Sequence, residues 1–146
     1  MRDRYEEALR LVRCRLYNYH EIRLALAEYK AERKAKRQAA AGRSKGRVSD
    51  PTALAAMIEL ERVPFVFLPG KRIVDDPAEW LEVIREVVRA LSPDDRKLLE
   101  VSFWKRHTWE AAVRELHMNK DTYYRRRDGL VHRFALAAAV KGLVKL

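Results

Sequence analysis

One cysteine, Cys14, rules out an internal disulfide and any cysteine-cluster zinc site. Glycine and proline are scarce too, five of each in 146 residues. A β-sandwich or barrel needs many tight turns, so this shortage argues against both. No window approaches the ~18 consecutive apolar residues of a membrane span, which removes the membrane from the expected partners. The opening Met1-Arg2-Asp3-Arg4-Tyr5-Glu6-Glu7 lacks the apolar stretch of a secretory signal. The four histidines, His20, His107, His117 and His132, have no metal-ligand spacing with one another. Leu68-Pro69-Gly70-Lys71-Arg72 is too short for a phosphate-cradling loop. Asp75-Asp76 and Asp94-Asp95 each precede or open a helix, where capping explains them better than acid–base chemistry. Arg13 and Arg15 beside Cys14 favour a thiolate, but no base partners it, and it reads as a small apolar residue on a helix. No catalytic residue, cofactor or metal is therefore expected. The chain reads as a soluble, cytoplasmic, mostly helical non-enzyme.

Charge is abundant and unevenly spread. The chain carries 31 Lys and Arg against 21 Asp and Glu, a net charge of +10. Residues 1–50 hold 14 basic and 7 acidic side chains, residues 51–95 hold 5 and 9, and residues 96–146 hold 12 and 5. Two basic ends flank an acidic middle. Such segregation points to a polyanion, nucleic acid first among them, rather than to solubility alone.

The expected fold class is all-α: a long N-terminal helix, a helical middle, and a C-terminal helix-turn-helix. Three segments follow: a basic helix and linker at 1–47, an acidic helical region at 48–91, and a DNA-binding region at 92–146. Residues 3–41 read as one helix, because no Gly or Pro precedes Gly42. Its apolar stripe is Tyr5, Leu9, Val12, Leu16, Tyr19, Ile22, Leu26 and Tyr29, near a 3.5-residue period. Two readings stand: packing on the rest of the same chain, or self-association into a homodimer. The stripe's length favours an uncovered surface, for a second copy or a polymerase subunit. From Lys30 the helix turns basic, and Lys34, Lys36, Arg37, Arg43, Lys45 and Arg47 are candidate phosphate contacts.

Ser49-Asp50-Pro51-Thr52 signals a helix start, and residues 52–62 a short helix with Leu54, Met57 and Ile58 at helical spacing. The β-like stretch 65–74 reads as a loop or one short hairpin. Asp76-Pro77 caps a helix over about 78–91, with Trp80, Leu81, Ile84, Val87, Val88 and Leu91 inward. Ser92-Pro93-Asp94-Asp95 opens another over about 93–105, burying Leu98, Leu99, Ser102 and Phe103.

The last two helices carry the sharpest signal. Thr108 caps a short helix, 109–116, with Trp109, Ala112, Val113 and Leu116 inward. His117-Met118-Asn119 turns the chain, and Asn119 caps a helix from Lys120 to about Lys141. Tyr123, Arg127, Leu130, Val131 and Phe134 share one side of it. Trp109, Leu116, Tyr123 and Phe134 are expected to be buried together. Short helix, three-residue turn and longer basic helix make a helix-turn-helix. Lys120, Asp121, Thr122, Tyr124, Arg125, Arg126 and Asp128 are the candidate DNA-binding residues, facing away from the apolar stripe. Arg125-Arg126-Arg127 supplies cations for guanine edges and backbone phosphates.

This last third resembles sigma factor region four, through Thr108-Trp109-Glu110-Ala111-Ala112 and Lys120-Asp121-Thr122-Tyr123-Tyr124. Residues 48–137 resemble the ArpU/RinA family of phage and prophage transcriptional regulators. The marks are Ser49-Asp50-Pro51-Thr52, Asp76-Pro77-Ala78-Glu79-Trp80-Leu81, Leu91-Ser92-Pro93-Asp94-Asp95-Arg96, Thr108-Trp109-Glu110 and Thr122-Tyr123-Tyr124-Arg125-Arg126-Arg127. The resemblance implies double-stranded DNA as partner and control of late phage genes in a bacterial host. Two other functions fit the same features: a small terminase-like DNA-packaging subunit, and a module that docks on RNA polymerase without reading DNA.

Overall fold

The computed structural model describes residues 2–41, 52, 53, 56, 57 and 61–146. The fold is mostly all-α, with one small two-stranded sheet. In chain order the elements are α1 (Arg2–Tyr17), α2 (Tyr19–Ala41), β1 (Phe65–Leu68), β2 (Arg72–Asp75), α3 (Pro77–Ala90), α4 (Pro93–Leu99), a π-helical turn (Glu100–Trp104), α5 (Trp109–Leu116) and α6 (Lys120–Val140). The chain divides into two compact units, Met1–His20 with Glu79–Leu146, and Glu21–Ala78. Their boundaries fall inside the segments 1–47 and 48–91, while 92–146 lies within the first unit.

In the first unit α1 lies against α6, and α4 and α5 each contact α6. Val12, Leu16, Trp80, Val83, Ile84 and Phe134 converge from α1, α3 and α6 to fill the centre. Helical spacing explains the inward face of α3: Trp80, Leu81, Ile84, Val87 and, just past its end, Leu91 are buried, while Val88 is half-buried and Val83 joins the core. The Tyr5 hydroxyl sits 2.6 Å from His132 Nδ1, a further tie between α1 and α6.

The single N-terminal helix expected over 3–41 is instead two, broken at Asn18. Arg106 is the cause. Its guanidinium donates to the Tyr17 carbonyl and to Asn18 Oδ1, so a side chain enters the helical ladder. Asn18 is 6% exposed, and this partner satisfies it. The stripe is also covered, contrary to the uncovered surface expected. Ala8, Val12, Leu16, Tyr19, Ile22 and Leu26 are buried within one chain, and Tyr5, Leu9 and Tyr29 are half-buried. That removes the exposed-stripe argument for a homodimer.

The helix expected over 93–105 also changes character. Ser92 caps it as anticipated, accepting from the Asp95 N–H at 3.2 Å. After Leu99 it widens into the π turn, with Lys105 N–H donating to the Glu100 carbonyl at 2.7 Å. Leu98, Leu99, Val101, Ser102 and Phe103 are all buried. At 3.6 residues per turn these five positions spread around more than half of a helix.

In the second unit, β1 and β2 pair antiparallel, Phe65 opposite Asp75 through Leu68 opposite Arg72. The hairpin reading of residues 65–74 is thus the one realised. Gly70 (φ 83) and Lys71 (φ 61) take the left-handed conformations of its turn. Val63, Val66, Leu68 and Val74 are buried. Glu61 binds Arg33 at 2.8 Å and Arg37 at 2.6 Å. The Tyr29 hydroxyl, accepting from Arg33, and the Glu61 carboxylate raise the Arg33 guanidinium above its ordinary pKa. Asp76 does not cap α3 as expected. Its backbone is left-handed (φ 50), and its carboxylate is paired with Arg62 at 2.6 Å. Thr52, Ala53, Ala56 and Met57 are helical, whereas the start signal Ser49-Asp50-Pro51 and the inward positions Leu54 and Ile58 lie outside the described residues.

Candidate nucleic-acid interface

Local rules build the helix-turn-helix geometry. Thr108, in extended backbone, accepts from the Ala111 N–H at 3.3 Å and starts α5. His117 closes α5 in the left-handed conformation (φ 54). The N–H of Met118 reaches back to the Val113 carbonyl at 3.2 Å, a Schellman-type close. Two residues later Asn119 accepts from the Thr122 N–H at 2.8 Å and starts α6. The chain therefore leaves one helix and enters the next with both ends satisfied. Ala112 is fully buried, as a close helix crossing requires.

α6 then sorts its side chains. Tyr123, Leu130, Val131 and Phe134 are buried, as expected, and Ala135 and Ala138 extend the same side. Lys120, Asp121, Arg125, Arg126 and Asp128 are exposed, and Thr122 and Tyr124 are half-buried. All seven candidate DNA-binding residues thus fall in the first nine positions of α6. Among the described residues no ion pair holds Arg125 or Arg126. The face is mixed in sign, since Asp121 and Asp128 offset part of the charge.

Three expectations need correction. Trp109 and Leu116 are half-exposed rather than buried. Trp109 lies on the rim, with Lys120 Nζ 4.5 Å from its ring centroid, so it orients a cation at the start of α6. Arg127 is not a surface cation. Its guanidinium stacks 4.9 Å from the Phe103 ring and donates to the Tyr17 hydroxyl. The Tyr17 and Phe103 rings lie 4.9 Å apart, and Arg106 stacks 5.9 Å from Tyr17. Two arginines on one aromatic pair were not visible in spacing, because Tyr17 lies 89 and 110 positions from them.

The candidate phosphate contacts fall in the second unit. Arg37 is paired with Glu61, Lys36 is exposed, and Lys34 is half-buried on α2. Arg43, Lys45 and Arg47 lie outside the described residues. Among the described residues no group of three His, Cys, Asp or Glu is arranged to hold a metal, and no helix is long and apolar enough to cross a membrane. No protein-family model, curated protein or solved structure matches this chain.

Proposed function

We propose that the chain is a sequence-specific, double-stranded DNA-binding regulator of transcription, with α6 as its recognition helix. One observation carries this reading. A short capped helix, a three-residue turn and a capped longer helix present Lys120, Arg125 and Arg126 outward on the first turns of α6. A helix of this kind enters the major groove with its N-terminal residues on base edges. Arginine pairs bidentately with guanine, and aspartate accepts from the cytosine amino group. Asp121 and Asp128 disfavour indiscriminate phosphate binding at that face, which suits reading over clinging. Affinity without sequence preference then falls to cations elsewhere, Lys34 and Lys36 among them.

Control of phage or prophage late genes in a bacterial cytoplasm extends this reading and rests on the resemblance to ArpU/RinA regulators, as does contact with RNA polymerase. A homodimer remains compatible with paired half-sites but needs a surface other than the covered stripe. Selection of bound sequences from a random duplex pool, with the full chain and no polymerase, tests the proposal. A recovered consensus is the expected result. No enrichment over the input pool would overturn it.

A further inference from the structure

We infer that the groove between α2 and β1 binds an extended peptide of another protein, one that alternates apolar and basic residues and adds a third strand to the hairpin. The groove encloses about 310 Å³ and is lined by Ala25, Glu28, Tyr29 and Glu32 of α2 and by Phe65, Val66 and Phe67 of β1. Three consecutive strand residues line it, although successive side chains point to opposite faces of a strand. The groove therefore runs along the edge of β1 rather than over one face.

The hydrogen-bond phase shows which backbone groups that edge offers. The Asp76 N–H donates to the Pro64 carbonyl at 2.9 Å, so Pro64 and Asp76 form a hydrogen-bonded pair one step beyond Phe65 and Asp75. Antiparallel pairs alternate between hydrogen-bonded and non-hydrogen-bonded. Phe65 and Phe67 are then non-hydrogen-bonded positions, and their N–H and C=O groups point away from β2. Among the described residues nothing pairs with that edge. An edge strand beside a helix is the arrangement that accepts an extended peptide by strand addition.

Side chains set the chemistry. Phe67 is 60% and Phe65 43% exposed, large apolar surfaces that a strand's alternate residues would cover. Glu28 and Glu32 stand one helical turn apart on the opposite wall, and no ion pair engages either among the described residues. Arg33 and Arg37 do not offset them, because Glu61 holds both. Among the described residues no cation lines the groove. Two carboxylates one turn apart match lysine or arginine on every second position of a strand.

The probe is a fluorescein-labelled hexapeptide of alternating valine and lysine, titrated into the full chain by anisotropy. Its controls are the valine–glutamate counterpart and a version N-methylated at alternate amides. The lysine peptide should bind, the N-methylated one should not, and the glutamate one should bind at least about tenfold more weakly, the scale of like-charge opposition at a short interface. Glu28→Gln with Glu32→Gln should weaken the lysine peptide about fivefold, what two exposed ion pairs supply together. Phe67→Pro deletes an outward N–H without touching the β1–β2 ladder, so it should abolish binding while the melting temperature stays near the parent's. Equal binding of the lysine and glutamate peptides would overturn the inference, as would full binding of the N-methylated peptide. Displacement by a duplex of DNA, or by a peptide of this chain's own residues 39–50, would overturn the assignment to another protein.

Discussion

Arg106 Nη2 lies 2.9 Å from the Tyr17 carbonyl oxygen and 3.3 Å from Asn18 Oδ1, across 88 and more positions of sequence. Arg106 is itself left-handed (φ 53), at the exit of the π turn. The break between α1 and α2 and the widened turn after α4 are therefore one feature seen from two sides. Arg106→Ala leaves the buried Asn18 amide without this partner and should destabilise the fold by about 1–3 kcal/mol. Thermal melts of Arg106→Ala, Asn18→Ala and the double variant check it. The double variant should cost less than the two single losses together, by about 0.5–3 kcal/mol; strict additivity would mean the two side chains act independently.

The α5–α6 turn depends on its second cap. Asn119 satisfies the Thr122 N–H at 2.8 Å, and Asn119→Ala should cost about 0.5–2 kcal/mol. Aspartate can accept the same bond, so Asn119→Asp should retain most of the parent's stability in chemical denaturation. Equal losses for alanine and aspartate would deny the cap its role.

Local signals in the sequence were legible wherever a cap or period acted alone. Ser92, Thr108 and Asn119 cap as their positions indicate, and α5 begins at Trp109 and ends at Leu116 as expected. The buried side of α6 follows its period for the same reason. What failed was set by distant partners. Asp76 has the sequence of an N-cap, but Arg62 takes its carboxylate. Residues 3–41 hold no helix breaker, but Arg106 supplies one from afar. Arg127 belongs to a run of three cations; its period put it on the apolar side of α6, but its partners Tyr17 and Phe103 are distant or on another element and could not be read. Trp109 matched the apolar period of a helix too short to bury all of it. For the candidate site, the sequence identified the exposed face of α6; it had no means to show that Lys120 rests on Trp109.

Coverage of the N-terminal stripe has its own consequence. Leu16 is fully buried within one chain. Leu16→Ala should lower stability by about 2–5 kcal/mol, the range for deleting a buried leucine side chain. Concentration dependence distinguishes this from assembly. A stripe packed in cis gives a melting temperature independent of protein concentration, whereas a stripe packed on a second copy makes it rise with concentration. Calorimetry over a hundredfold dilution reads the difference.

Lys120 and Trp109 form a pair that DNA would disturb. The ammonium sits 4.5 Å from the ring centroid on a half-exposed indole. Such a contact is worth about 0.5–1 kcal/mol at an exposed site, so Lys120→Ala should barely move the melting temperature. Its effect belongs to binding. Duplex DNA of the selected sequence should shift the Trp109 indole N–H resonance, and Lys120→Ala should reduce that shift. An indole resonance unmoved by saturating DNA would place the interface elsewhere.

Arg125 and Arg126 give the decisive contrast. Both are exposed on α6 and neither is held by an ion pair among the described residues. Neighbouring positions on a helix point about 100° apart, so only one of them faces a base edge squarely. Arg125 lies beside Tyr124 and four residues after Asp121, on the side of α6 opposite Leu130 and Phe134. Arg125→Ala should cost about 1–3 kcal/mol for the selected sequence and relax preference at one base pair. A phosphate contact behaves differently: it weakens all sequences alike and lowers the salt slope by roughly one. Arg126→Ala should show that second pattern. Affinity measured at several salt concentrations, on the consensus and on a scrambled duplex, separates the two. Identical losses on both duplexes for both variants would make α6 a backbone-binding helix, and unchanged affinity for both would remove it from the DNA altogether.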